Sequence, residues 1–417
     1  MKILLKSCKL IASGSSHNGK VVDLLISDGT IQKIADQIAD SADQTIEIPN
    51  LHVSCGWFDA KVHFCDPGDE VMEDIESGKK AAAAGGFTAV GLNPATQPPL
   101  SNKSQIEYVK GNSQNEMVEI HPYGTITDQL KGENLSEMYE MQQSGAIGFT
   151  DDHKHIAAGI MYRALLYAKN FDGRVISFPW DKSIFGKGYV HEGKASVLTG
   201  LKSIPAIAEY LMVQQNLSLL EYTDSSIHFS GISTAKSVDL IREARKTGLK
   251  VTADCYVQNV VFNEDEVLGF DSSYKVLPPL RSEEDRKALI AGLKDGTIDA
   301  VCSDHRPQDV EHKDVEFDHA SFGMIGVQTL FPALNGIEEL SLEEKINLIS
   351  TKSRNLFGLD RKLEEGEKAE LTLFDPETVW TVEKADLNSK SKNTPLIGKE
   401  LKGKVLGTIN NGHLNLL

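Results

Sequence analysis

The sequence predicts an α/β protein: a (β/α)8 TIM barrel carrying a small β-sandwich domain formed by both termini. Two observations carry that prediction. Short apolar or β-branched runs alternate with capped helical runs through the middle of the chain, about eight strand–helix units over roughly 300 residues, which fits a closed barrel. Both ends read instead as strands and turns. At the start these are Lys2-Ile3-Leu4-Leu5, Val21 to Ile26 closed by Ser27-Asp28-Gly29, and Thr45 to Ile48; at the end they are Ala369 to Pro376 and Gly403 to Ile409. Residues 1–52 and 365–417 are therefore assigned to one small β domain and 53–364 to the barrel. A doubly wound open sheet is the alternative, disfavoured because no glycine-rich phosphate loop follows the first strand.

Eight strands are expected in order: the segment before Lys61, Phe87 to Val90, Val118 to Ile120, Ile147 to Phe149, Arg174 to Ser177, Ile227 to Phe229, Lys250 to Ala253, and Ile298 to Val301. Among the helices between them, Glu73 to Ala84 is closed by Gly85-Gly86 and Ser233 to Thr247 by Gly248, and a third spans Glu283 to Leu293.

A chain of 417 residues with 40% hydrophobic content can bury a large core. Its 43 Lys+Arg against 60 Asp+Glu give a net charge of −17, which argues against nucleic-acid and anionic-membrane partners. No run approaches a membrane span and Lys6 and Lys9 interrupt the apolar start, so a cytoplasmic protein is expected. Cys8, Cys55, Cys65, Cys255 and Cys302 are scattered and lack metal-knuckle spacing, which suits reduced thiols.

In a barrel of this kind the functional side chains follow the strands. Those positions hold Lys61 and His63, Asp151-Asp152, Phe178, Gly231, and Asp304-His305. Residues 61 and 63 share a strand face, where two imidazoles would reach one ion together. Position 61 is a lysine, whose ammonium cannot ligate a metal. His63, Asp151 and Asp304 remain as candidate ligands, each of which could equally be a satisfied polar residue, a helix cap or an ion-pair partner.

The order of these pieces resembles the dihydroorotases of the amidohydrolase superfamily. The likeness rests on Asp59-x-x-x-His63-x-x-x-Pro67-Gly68, on Glu73 to Thr88, and on Gly145-Ala146-Ile147-Gly148-Phe149-Thr150-Asp151-Asp152. It continues through Ser233-Thr234-Ala235, Pro278 to Arg286, Asp295 to Asp299, Ser303-Asp304-His305-x-Pro307, and Ser389 to Pro395. It implies a zinc enzyme of pyrimidine synthesis that closes carbamoyl-aspartate to dihydroorotate, with a metal-held hydroxide and an aspartate that moves the proton. Carried over residue by residue, the first metal-binding histidine falls on Lys61 and the second on His63. The acidic ligand falls on Asp151, the next two histidines on Phe178 and Gly231, and the catalytic aspartate on Asp304. On the substrate side, the arginine that grips the carboxylate falls on Cys65 and its partner asparagine on Ala95. A later asparagine falls on Leu277, and the histidine after the last aspartate motif on Gln308.

The resemblance thus yields an incomplete site: His63, Asp151 and Asp304 as the remaining metal ligands, Asp304 as a vestigial catalytic residue, and no substrate grip. Lys61 is expected to replace the metal's charge against Asp151 or Asp304. The reading is a catalytically inactive dihydroorotase-like homo-oligomer needing no cofactor, with a structural role alongside aspartate carbamoyltransferase. The alternative is a cyclic-amide hydrolase with an altered zinc site. Its support is His153-x-His155, read here as an exposed loop before the helix at Gly159 to Lys169, together with Cys65, Cys255 and Cys302. Cys302, two residues before Asp304, is expected inside the barrel.

Overall fold

The computed structural model describes residues 1–113 and 115–417. The barrel wall is built from strands Trp57–Val62, Phe87–Leu92, Glu119–Pro122, Val175–Ser177, Ser226–Phe229, Lys250–Tyr256 and Ala300–Cys302. These form two parallel groups, one of three strands and one of four. Phe149 joins them by bridging Gly124 on one side and Val175 on the other, and a bridge between Val62 and His305 closes the ring. Eight staves result, all parallel, at the eight places where the alternation puts them.

Parallel strands covered by helices are buried on both faces. Trp57–Val62 and Phe87–Leu92 are buried at every residue. Phe58, Ala60, Ala89, Ile176, Tyr256 and Cys302 fill the barrel interior, while a larger apolar layer lies between strands and helices. Cys302 is fully buried there, and all five cysteines are buried free thiols.

The helices start where side chains cap them. Asp74 accepts from the Ser77 amide while Ser77 Oγ returns to the Asp74 amide, a reciprocal cap that fixes Ile75–Ala84. Asp74→Ala is expected to lower stability by about 1 kcal/mol in chemical denaturation. Thr234 caps Ala235–Lys246, and Ser282 caps Glu283–Asp295. Among the described residues no helix is long and apolar enough to cross a membrane.

Both chain ends meet in one eight-stranded sheet. Its order runs His413–Leu416, Glu400–Asn410, Leu371–Thr381, His52–Cys55, Lys2–Ile11, Val21–Ser27, Thr30–Ala35, with Gln44–Ile46 also paired to Lys2–Ile11. The fully buried Glu370 ties this sheet to the barrel. It accepts from Arg354, from Arg361 at 2.5 Å and from Thr88 Oγ1 at 2.8 Å. The chain is a (β/α)8 barrel with a β-sandwich domain, and the strand ends of the barrel open onto one face.

Candidate functional site

At that face seven polar side chains from five strand ends converge. Lys61 Nζ, on the first strand, donates to Tyr256 Oη at 2.6 Å and lies 3.0 Å from Asp152 Oδ1 and 4.0 Å from Asp304 Oδ1. Arg306 donates to Asp152 at 2.9 and 3.0 Å and lies 3.5 Å from Asp304. Asn93 Nδ2 adds a 2.7 Å bond to Asp152. His63 Nε2 sits 3.4 Å from Asp152 Oδ2 without hydrogen-bond geometry. Lys61, His63, Asp152 and Asp304 are all buried.

Two formal positive charges therefore face two carboxylates in a dry place. Burial alone would push both carboxyls up. It raises Asp304 to about 6 in spite of Arg306 and Lys61. At Asp152 burial is outweighed: Arg306, His153 and Lys61 hold its carboxyl well below the usual range. Burial and Arg306 push His63 down to about 4, so it is a neutral imidazole at physiological pH. Asp59, beneath the cluster, is raised to about 7 by burial; its Oδ1 accepts from the amides of Lys61 and Ser303.

The structure brings His63, Asp304 and Lys61 together, but it places Asp151 elsewhere. Asp151 accepts from the amides of Ile126 and Thr127 at 2.8 and 3.0 Å and from the Thr127 hydroxyl, pinning a neighbouring loop. The carboxylate that meets Lys61 is Asp152, which takes φ +52°. That left-handed turn reverses which of two adjacent acids faces the mouth, and a strand-period reading cannot foresee it. Lys61 accordingly neutralises Asp152 and Asp304 rather than Asp151.

Phe178 and Gly231 line the same space. Lys61 Nζ lies 5.3 Å from the Phe178 ring centroid and 5.1 Å from that of Tyr256. The His153 ring packs on Phe178 at 4.3 Å. His153 is thus turned inward, against the expectation of an exposed loop. His155 bonds instead to the Trp180 carbonyl at 3.1 Å, so the two imidazoles do not form a ligand pair. At Gly231, a Cβ would stand 2.6 Å from Tyr256 Cζ. The tyrosine ring occupies the room that a side chain at 231 would need.

Tyr256, Arg306 and Asn93 are the site residues the sequence reading passed over, and Asp152 was placed at a strand end without a role. Arg306 had a signal, lying two residues beyond Asp304. Tyr256 had none without the fold, because its partner Gly231 is 25 positions away. Of the substrate-side positions, Cys65 is buried, its thiol pushed up to about 12 by burial. Leu277 packs in the barrel-interior apolar cluster, and the Gln308 amide donates to Asn393. Two cavities beside the cluster, each about 10 Å³, have room for one water at most.

A family model described as "Dihydro-orotase-like" matches residues 51–237. The dihydroorotase of Geobacter metallireducens is 39% identical over 419 residues, 99% of each chain, and that of Thermoanaerobacter sp. is 36% identical over 420 residues, 99% of this chain and 97% of the relative. The chain belongs to the dihydroorotase family. Solved structures agree on the fold. The L-hydantoinase (dihydropyrimidinase) from Arthrobacter aurescens superposes with TM-score 0.87 at 24% identity, covering 100% of this chain and 97% of its own. The dihydropyrimidinase of Brevibacillus agri gives 0.84 at 19%, covering 99% and 95%.

Members of the dihydroorotase family are typically zinc dependent, which asks whether this mouth fits the metal. It does not. Zinc sites need three or four neutral or anionic donors converging on one point. Here the converging donors are His63, Asp152 and Asp304, and the space among them is taken by the Lys61 ammonium and the Arg306 guanidinium. Among the described residues no group of three or more His, Cys, Asp or Glu is disposed to hold an ion.

Proposed function

We propose that this dihydroorotase-family chain is a non-catalytic protein of pyrimidine biosynthesis, whose barrel mouth is a metal-free ion-pair core. One observation carries the reading: Lys61 and Arg306 supply the positive charge that Asp152 and Asp304 require, at contacts of 2.9 to 4.0 Å. A divalent ion entering that cluster would meet two fixed cations and only three donors. The substrate side supports the same conclusion, since neither Cys65 nor Ala95 offers the charged fork that grips a carboxylate.

The structural role we assign is association with aspartate carbamoyltransferase, the preceding enzyme of the pathway, by a homo-oligomer of this chain. Support for it comes from the preserved family fold at a mouth that has lost its chemistry. Metal analysis of protein purified without added zinc tests the first half: less than stoichiometric zinc and no chelator-sensitive dihydroorotate hydrolysis are expected. Tightly bound zinc, or turnover abolished by a chelator, would favour the altered zinc hydrolase. Sedimentation of the chain with and without aspartate carbamoyltransferase tests the second, and no co-sedimentation would remove the partner.

A further inference from the structure

Away from the barrel centre, two neighbouring lysines are buried without any counter-ion. Lys313 Nζ donates to the carbonyls of Lys275 and Ser321, both at 3.0 Å. Lys275 Nζ donates to the carbonyls of Phe317 at 2.7 Å and Asp318 at 3.1 Å, and lies 4.2 Å from the Tyr189 ring centroid. The two are 5% and 2% exposed, and among the described residues neither has a carboxylate within 4 Å. That is unusual in a chain with 60 acids, because an unpaired buried ammonium is costly.

Lys313 lines an open groove of about 500 Å³ between the loop after the last barrel strand and the strap of residues 390–393. An ammonium has three N–H donors. Two of those on Lys313 go to carbonyls, and the third has no partner among the described residues. Lys384, also lining the groove, pairs with no carboxylate among the described residues. Of the groove's three acids, Asp271 accepts from the Ser273 amide and Asp309 from the His312 amide and ring, and Asp314 also lines it. Val71 and Val310 stand 84% and 71% exposed on its rim.

We propose that this groove binds a small organic dianion, a phosphate ester, with its charged end on Lys313 and Lys384 and its carbon body between Val71 and Val310. The dianion would supply the counter-charge that the fold withholds. Burial, then the neighbouring Lys275, lowers Lys313 to about 7, and burial lowers Lys275 to about 8. Besides Lys275, the charged groups around Lys313 are Asp271, Asp309, Asp314, His312 and Lys384, with Lys390 and Lys392 on the strap. Lys390 is paired with Asp74, and Lys392 bonds to the carbonyls of Leu387 and Ser389. The anion binds the protonated amine, so binding takes up a proton and weakens as pH rises past about 7.

Titration calorimetry on the full chain with sulfate, a dianion across this pH range, reads that directly. Saturable binding is expected to weaken at least about tenfold between about pH 6 and pH 9, and at least about tenfold in K313M and K384A. K313M leaves the Lys275 and Ser321 carbonyls without a donor, so its melting temperature is read beside its binding, while K384A is a surface change whose loss of sulfate binding at an unchanged melting temperature is not a folding defect. Phenyl phosphate should bind more tightly than sulfate, with V310S removing only that advantage. Sulfate binding that ignores pH, or survives K313M unchanged, overturns the site; phenyl phosphate no tighter than sulfate overturns the organic ligand.

Discussion

Replacing Arg306 by methionine is expected to destabilise the protein by about 3–5 kcal/mol at neutral pH, the usual consequence of removing one side of a buried ion pair. Arg306 reaches both acids, at 2.9 and 3.0 Å to Asp152 and 3.5 Å to Asp304, and methionine keeps most of its volume while removing all of its charge. Lys61 would then face two carboxylates alone. The defect should depend on pH in a definite sense. In the variant Asp304 is raised further above its unfolded value, and Asp152 loses the largest of the charges that hold it down. The Asp304 share of the penalty grows between about pH 4 and 7 and stays at its full value above, while the Asp152 share is already present near pH 4 and is lost only as pH falls further.

Asp304, already at about 6 beside both cations, moves higher still when one is removed. In the parent protein Asp152 works in the opposite direction. Its depressed pKa contributes stability that is present above about pH 4 and lost as pH falls through the folded value. Urea midpoints at pH 4 and pH 7 for parent and variant would check this. A variant equally damaged at both would mean that Arg306 matters for packing, not for charge.

The eight staves and the terminal β domain were legible because they depend on local pattern: β-branched runs, caps such as Asp74 and Thr234, and the glycines closing helices. The non-ligand residues at 61, 178 and 231 were legible for a different reason, since the family resemblance puts histidine ligands on those positions. The charges that meet Asp152 and Asp304 were only half legible. Lys61 is visible because it stands at a ligand position. Arg306 and Asp152 stand near such positions too, but their roles are not visible, because those depend on which way the chain turns after a strand. Asp152 and Asp304 both take positive φ, +52° and +42°, at the barrel mouth, and no periodicity encodes that. The inward turn of His153 against Phe178 escaped for the same reason, since a polar loop sequence reads as exposed until the aromatic ring beneath it is placed.

The pairing of Gly231 with Tyr256 gives the second large effect. Gly231→Ala is expected to cost about 2–4 kcal/mol, combining a left-handed backbone for a residue with a Cβ and overpacking against a rigid ring. The glycine sits at φ +76°, with Tyr256 Cζ and Oη at 2.6 and 2.7 Å from where the methyl would be. Trimming the ring should relieve the steric share and leave the backbone share. In a double-mutant cycle with Tyr256→Leu, the two changes should therefore couple favourably by about 1–3 kcal/mol. Additive losses would mean that the ring yields easily and does not fill the 231 position. The coupling also bears on rebuilding the metal site. Histidines at 61 and 231 would still meet Tyr256 in the second ligand's room and Arg306 among the acids. Zinc uptake by Lys61→His alone is therefore expected to stay at the parent's level, and uptake should first appear when Arg306 and Tyr256 are also removed.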